Sequence, residues 1–378
     1  MLANGSRGAG AQRDVAVCVP VRNEEELLPR LLQAVAEQQE VAHDRLVLCL
    51  FLDGCSDGSE AVIEAARADL SIAIRIEQDP GGPAHAGRAR RRATAMGVAA
   101  LGGQPDAVLL TTDADTTPAR DWIARNLAAL RKADLIAGDI RTAEPAGSDH
   151  HDRVKAYYDR LHLLNTLIDP VPWEAERRHH HAGGASLAFR CAAYQSVGGF
   201  PDLARGEDAA FVALARQCGL RVRRDADVVV HTSTRRSGRV DGGFAAHLSA
   251  LDAAGTAATL MVVDPEVAAR QYRAHARARR VFRAPSAAAV SDLARRVGLP
   301  TAAVTALLAD AVNAEAFALR LVPMPTDAQP LPLAEAERRL ARLVGHRRPK
   351  GGGRPHAGRA LASFEDVRGR PILPVASV

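Results

Sequence analysis

Residues 14–59 read DVAVCVPVRNEEELLPRLLQAVAEQQEVAHDRLVLCLFLDGCSDGS. The first segment, Asp14–Pro20, is rich in β-branched residues and ends at a proline, which is typical of a buried strand. Asn23 is predicted to cap a helix whose apolar residues recur at helical spacing: Leu27, Leu28, Leu31, Leu32 and Val35. Arg45–Leu52 is a second apolar run, and it ends in a polar turn that begins at Asp53. The stretch therefore predicts a strand–helix–strand unit.

The same alternation continues as far as residue 140. Further strands are predicted at 71–77, 107–112 and 134–140, with helices between them, and Pro118 is expected in the first turn of a helix. This order predicts an α/β fold with a mainly parallel sheet that helices cover on both faces. In such sheets ligands bind beyond the carboxyl ends of the strands, where Asp53 and Asp113–Asp115 lie.

The second half of the chain is less regular. Helices are expected at 150–169 and 207–218, with short strands at 185–189 and 228–231. From residue 242 onward helical patterns dominate, at 265–280, 286–297, 301–316 and 333–344. We expect four segments: a flexible N-terminus (1–13), an α/β domain (14–240), a helical region (241–345) and a disordered Gly/Pro/Arg-rich tail (346–378).

The charge of the chain is concentrated in that tail. The formal net charge is +5, and residues 346–378 contain seven cationic side chains against Glu365 and Asp366, so the remainder is neutral. A basic tail is able to contact nucleic acid or an anionic membrane, but a solvated end is the favoured interpretation, and nucleic acid is not expected as a partner. Only three of the 49 basic residues are lysines, so the residue type alone marks no arginine as a phosphate ligand.

Two further features concern the cellular compartment. No apolar run approaches the roughly 20 residues that a transmembrane helix needs, and the N-terminus has no apolar core of a signal peptide. The five cysteines lack metal-binding spacing and are expected to be reduced thiols. Both observations favour a cytoplasmic location. The oligomeric state is not predicted.

Asp113-Ala-Asp115 is the first candidate for chemistry. In an extended backbone residues i and i+2 point the same way, so both carboxylates can face one pocket. Mg²⁺ and Mn²⁺ prefer oxygen ligands and often bridge carboxylates to substrate phosphates. The alternative is a solvated Asx turn that caps a following helix.

Five motifs in order resemble those of family 2 glycosyltransferases, which have the nucleotide-sugar-binding GT-A fold. The resemblance runs from about Val15 to Arg239. The motifs are Val17-Cys-Val-Pro-Val-Arg-Asn-Glu-Glu, Asp53-Gly-Cys-Ser-Asp-Gly-Ser, Asp113-Ala-Asp115, Gly184-Ala-Ser-Leu-Ala-Phe-Arg with Gly198-Gly-Phe-Pro, and Gly206-Glu-Asp208. The resemblance implies a nucleotide-sugar half at 14–115 and an acceptor half at 116–240.

The resemblance also implies roles for individual residues. Asp53 would accept hydrogen bonds from the nucleobase, and Asp115 would bind the metal. Asp208 and Glu207 would be catalytic, with Asp208 as the general base. His231 would complete the metal site. The other donor-binding residues would be Pro20, Arg22, Glu24, Arg88, Arg90, Asp113, Ala114, Arg235 and Arg236. Within Gly87-Arg-Ala-Arg90-Arg91, the family's usual Asn is replaced by Arg91.

Structural roles are the alternatives for several of these residues. Asp53 would then be a turn residue, Glu207-Asp208 a helix cap and His231 a structural histidine, while Arg235 and Arg236 would be ordinary loop charges. The resemblance implies transfer of a sugar from a nucleoside-diphosphate sugar to an acceptor hydroxyl, with Mg²⁺ or Mn²⁺ and with inversion. The sequence lacks the Gln-x-x-Arg-Trp element of processive family members and membrane spans, which favours transfer of a single sugar. The sequence does not identify the acceptor. The other hypotheses are a sugar-nucleotide pyrophosphorylase and a non-catalytic protein that binds through its basic tail.

Overall fold

The structure is a computed structural model that describes residues 13–143, 149–238, 243–253, 259–323, 329–345 and 371–372. The predicted flexible N-terminus and disordered tail therefore lie almost entirely outside the described residues. The chain divides into two compact units. Unit 1 comprises residues 1–145 and 173–245, and unit 2 comprises residues 146–172 and 246–378.

Unit 1 is built on an eight-stranded sheet in the order β3-β2-β1-β4-β7-β6-β8-β5. The strands are β1 (Val15–Val21), β2 (Leu46–Asp53), β3 (Ala73–Asp79), β4 (Val108–Thr111), β5 (Thr116–Pro118), β6 (Leu135–Thr142), β7 (Leu187–Arg190) and β8 (Val222–Thr232). Strands β3, β2, β1 and β4 run parallel to one another, as do β6 and β8. Strand β7 is antiparallel to β4 and β6, and β5 is antiparallel to β8. The predicted α/β fold with a mainly parallel sheet is confirmed.

The helices of the described residues follow in chain order. They are α1 (Leu28–Ala36), α2 (Ser59–Arg67), α3 (Ala86–Ala100), α4 (Trp122–Ala129), α5 (Asp149–Ile168), α6 (Cys191–Val197), α7 (Glu207–Gln217), α8 (Phe244–Ala253), α9 (Pro265–Arg283), α10 (Ala287–Val297), α11 (Thr301–Asp310), α12 (Ala314–Leu321) and α13 (Leu333–Gly345). None of them combines the length and the apolar character that crossing a bilayer requires. All five cysteines are free thiols.

Two apolar layers hold the sheet of unit 1. Alternate residues of β1 and β2 point to opposite faces, so each strand contributes to both layers. One layer packs against α1 and the other against α3. Both strands are almost completely buried, which is the reason that their sequences read as continuous apolar runs. Their carboxyl ends place the turns that follow them side by side.

Three local predictions differ from the structure. Asn23 does not cap α1, because it has a left-handed backbone (φ 55°) and its side chain accepts a hydrogen bond from Ser56 N. Pro118 is not in a helix but in β5, which pairs with β8. The helix predicted at 301–316 is two helices, α11 and α12, and Asn313 caps the second.

Unit 2 includes α5, which the sequence analysis placed within the 14–240 domain. The apolar face of α5, formed by Tyr157, Leu161 and Leu164, packs in one cluster with α8, β9 (Thr259–Val262) and α13. Strand β9 pairs with β10 (Leu331–Pro332) and β11 (Pro371–Ile372). The amphipathic pattern of α5 was visible in the sequence, but its partners lie far along the chain, the nearest of them in α8, where Leu248 is 84 residues beyond Leu164.

Candidate active site

The turns after β1 and β2 are tied together by side chains. Ser56 N donates a hydrogen bond to Asn23 Oδ1 at 2.8 Å. In the other direction, Glu25 N donates to Asp57 Oδ2 at 3.0 Å. Glu24 N donates to Ser59 Oγ at 2.8 Å. These bonds satisfy backbone N–H groups that a strand end leaves without partners. They fix the backbone on either side of Arg22 and Glu24.

Asp53, at the end of β2, is buried between two arginines. Arg22 Nη1 lies 3.1 Å from Asp53 Oδ2, and Arg88 Nη2 lies 3.3 Å from Asp53 Oδ1. Arg22 also donates to the main-chain oxygens of Asp53 and Gly82. The structure thus brings Arg22, Asp53 and Arg88 together, with a guanidinium group on each carboxylate oxygen.

Arg90 is the centre of a buried ionic network. Its Nε donates to Glu207 Oε1 at 2.8 Å, its Nη2 to Asp113 Oδ1 at 2.9 Å, and its Nη1 to Gly184 O at 3.1 Å. Burial lowers the pKa of a guanidinium, but here the carboxylates of Asp113 and Glu207 outweigh it and raise the pKa of Arg90. One side chain therefore joins the strand-end aspartate to the first residue of α7.

Asp208 is held by main-chain donors. Its Oδ2 accepts from Gly184 N and its Oδ1 from Ala209 N, both at 2.7 Å. Its neighbour Glu207 is the more buried of the two, and burial raises the pKa of Glu207. Glu207 is engaged with Arg90, and its predicted catalytic role stays a prediction.

Arg235, in the polar segment after β8, reaches back to the first turn. Its Nη1 lies 2.5 Å from Glu24 Oε2, and its Nη2 contacts Glu24 Oε1 and lies 3.1 Å from Asp115 Oδ2. Burial, followed by repulsion from Asp113, raises the pKa of Asp115 to about 6, while the charge of Arg235 opposes the rise. Asp113, Asp115 and Glu24 therefore form one electrostatically coupled group.

Four predicted site residues remain: Pro20, Ala114, Arg236 and His231. Pro20 is a half-buried residue of β1, and Ala114 is buried between the two aspartates. Arg236 donates to Thr234 O. Burial, and then the charge of Arg141, lowers the pKa of His231. No hydrogen bond or ion pair joins His231 to Asp115 in the described part of the chain, and the role of His231 as a metal ligand stays a prediction.

The site contains one residue that the sequence analysis quoted without a role. Gly184 accepts hydrogen bonds from Arg90 and Thr111 through its oxygen, and its N–H donates to Asp208. A Cβ at this position would lie 2.3 Å from Arg90 Cζ, so only glycine fits against the guanidinium. The signal available in the sequence was the Gly-Ala-Ser motif itself.

The carboxylates of Glu24, Asp113 and Asp115 offer oxygen ligands for a metal ion. Among the described residues, no three His, Cys, Asp or Glu side chains are grouped closely enough to hold a metal ion alone. However, Asp115 and Glu24 both contact one nitrogen of Arg235, and Asp113 is close enough to raise the pKa of Asp115. Since Mg²⁺ commonly uses one or two carboxylates together with substrate phosphates, these residues fit a cation that arrives with a diphosphate.

Comparisons with solved structures give distant matches. S. aureus TarS 1-349 in complex with UDP-GlcNAc is 14% identical with a TM-score of 0.45, and the match covers 82% of this chain and 89% of that chain. The mannosyltransferase PcManGT from Pyrobaculum calidifontis, in complex with GDP-Man and Mn²⁺, is 18% identical with a TM-score of 0.43, over 89% and 86% of the two chains. The match to another structure of S. aureus TarS covers only 42% of that chain.

The family comparison is more specific. No curated protein matches the chain. The sequence model described as glycosyl transferase family 2 matches residues 16–194, which contain the turn at Asp53, the Asp113–Asp115 pair and the Gly184 segment. Residues 16–194 of the chain are therefore similar in sequence to glycosyltransferase family 2.

Proposed function

We propose that the protein transfers a single sugar from a nucleoside-diphosphate sugar to an acceptor hydroxyl, with Mg²⁺ or Mn²⁺ and with inversion at the anomeric carbon. The observation that carries this proposal is the Arg90 network. Because one guanidinium contacts both Asp113 and Glu207, the predicted donor-binding and base-bearing segments form one site.

The charges of this site favour a cation. Six carboxylates (Glu24, Asp53, Asp113, Asp115, Glu207 and Asp208) face four guanidinium groups (Arg22, Arg88, Arg90 and Arg235). Burial, and then repulsion from Asp113, raises the pKa of Asp115, and a bound cation would relieve both effects. Asp115, with Glu24 and Asp113, would hold the metal, and the bound metal would offset charge that develops on the departing diphosphate.

Asp208 is our candidate for the general base. The N–H groups of Gly184 and Ala209 orient its carboxylate, and Glu207 and Arg90 hold the start of α7. Asp208 would take the proton of the acceptor hydroxyl as that oxygen bonds to the anomeric carbon. The bond from this carbon to the diphosphate oxygen breaks on the opposite face, which inverts the configuration.

Other features favour this proposal over the alternatives. A pyrophosphorylase would need a glycine-rich loop after the first strand, where the chain has Pro-Val-Arg-Asn-Glu-Glu at 20–25. The Gln-x-x-Arg-Trp element typical of processive members of the family does not occur, which favours transfer of one sugar. The tail on which a non-catalytic binding protein would rely lies almost entirely outside the described residues.

The test is release of nucleoside diphosphate from UDP-, GDP- and dTDP-sugars, with water as the acceptor, in Mn²⁺ or in chelator. We expect at least one donor to be cleaved only with metal, and Asp115→Ala to lower the rate on the order of a hundredfold or more. A chain without residues 346–378 should keep the activity. Failure of the folded full-length protein to cleave any of these donors in the presence of metal would instead favour the binding protein.

A further inference from the structure

The guanidinium of Arg235 lies at the point where a cation would contact both Glu24 and Asp115. Its Nη2 touches Glu24 Oε1 and lies 3.1 Å from Asp115 Oδ2. A single positive centre at this place therefore reaches one oxygen of each carboxylate. Divalent cations bind in proteins by bridging carboxylate oxygens in this way.

Arg235 supplies positive charge to these two carboxylates when no metal is bound. The side chain of Glu24 is only 5% exposed and that of Asp115 is 17% exposed. Buried anions without a partner are strongly destabilising, because water no longer solvates them. Asp113 adds a third negative charge but is already paired with Arg90.

The position of Arg235 in the chain allows its side chain to move away from Glu24 and Asp115. It lies three residues beyond the end of β8, in a segment that has neither helix nor strand, and its side chain is 22% exposed. A long side chain on such a segment can change partners without disturbing the sheet. Phosphate oxygens are equally good partners for a guanidinium, which binds them through two parallel hydrogen bonds.

We propose that Arg235 is a replaceable counter-cation: it neutralises Glu24 and Asp115 until a divalent metal arrives with a diphosphate, and it then transfers to the phosphate oxygens. This inference rests on the proposed function. Metal alone must displace a favourable ion pair and leave Arg235 without an anion. Metal with a diphosphate supplies a new anion, so the two ligands bind with positive coupling.

The first experiment measures Mn²⁺ alone, by electron paramagnetic resonance, on the full chain without nucleotide. We expect Arg235→Gln to bind Mn²⁺ about tenfold more tightly than the wild type, since the competing cation is gone and two carboxylates are exposed to the metal. The double variant Glu24→Gln/Arg235→Gln should lose this gain. Arg120→Gln, which removes an exposed arginine paired with Glu37, should match the wild type.

The second experiment adds UDP or GDP. In the wild type the nucleotide should tighten Mn²⁺ binding, and in Arg235→Gln this coupling should fall by about tenfold, because one charge-assisted contact to phosphate is lost. Arg235→Lys keeps the positive charge but lacks the planar guanidinium that binds two phosphate oxygens at once. Its coupling between nucleotide and Mn²⁺ binding should lie between those of the wild type and Arg235→Gln. Circular dichroism and thermal unfolding confirm that each variant is folded.

The outcomes separate this inference from the proposed function. Unchanged or weaker Mn²⁺ binding by folded Arg235→Gln would overturn the counter-cation role, even if the wild type binds nucleotide with metal. Tighter Mn²⁺ binding by Arg235→Gln that Glu24→Gln abolishes would support the replacement of Arg235 by metal, even if neither nucleotide binds. If neither UDP nor GDP binds, that result would count against the proposed function while leaving the replacement of Arg235 by metal supported.

Discussion

Replacement of Asp208 by asparagine is expected to lower kcat by roughly 10²–10⁴-fold, the usual contribution of a general base. Donor binding should stay within about threefold of the wild type, because the hydrogen bonds of the Asp208 carboxylate within the described part of the chain are to Gly184 N and Ala209 N. Asparagine keeps the shape of the side chain but cannot take the proton of the acceptor. Steady-state kinetics with the best donor of the panel measures the effect.

Asp202→Asn is the matched control for this prediction. Asp202 has the same chemistry but its side chain is 77% exposed, where it pairs with His85. Its kcat should equal that of the wild type. If folded Asp208→Asn retains kcat within a factor of about three, Asp208 is not the base, and another group must deprotonate the acceptor.

Replacement of Arg90 by glutamine is expected to lower the free energy of unfolding of unit 1 by about 3–5 kcal/mol, because it leaves Glu207 and Asp113 without their buried partner. Arg90→Gln/Glu207→Gln should recover part of the loss, since it removes one of the two uncompensated charges. Urea unfolding followed by tryptophan fluorescence measures this, because both tryptophans, Trp122 and Trp173, lie in unit 1.

Arg92→Gln is the control for the Arg90 experiment. Arg92 lies on the same helix, but it is 60% exposed and its pairing with Glu77 is at the surface. Its removal should change the free energy of unfolding by less than about 0.5 kcal/mol. Equal effects of Arg90→Gln and Arg92→Gln would show that the buried network does not stabilise the site.

The strand–helix alternation of residues 14–140 was predictable because each element carries its own periodicity. Strands β2 and β4, for example, lie within one residue of their predicted bounds. Pro118 was misplaced because its backbone is set by pairing with Val230 in β8. That partner is more than a hundred residues away, and no local pattern encodes it.

The sequence also predicted candidate site residues, whose roles stay predictions, but it did not predict the contacts between them. Motif order pointed to Asp53, Asp113, Asp115 and Asp208. The contacts that join them span 117 residues for Arg90–Glu207 and 211 residues for Arg235–Glu24. With arginine so abundant in this chain, only the folded structure distinguishes these side chains from ordinary surface charges.

The proposed function depends above all on Asp115 belonging to a metal-dependent donor site. Calorimetric titration of a panel of nucleoside diphosphates and their sugars, with Mn²⁺ or with chelator, tests it most directly. We predict that the wild type binds at least one donor with Mn²⁺ only, and that Asp115→Ala loses this binding while remaining folded. Absence of binding by the folded wild type to every donor, or equal binding by Asp115→Ala, would contradict the account.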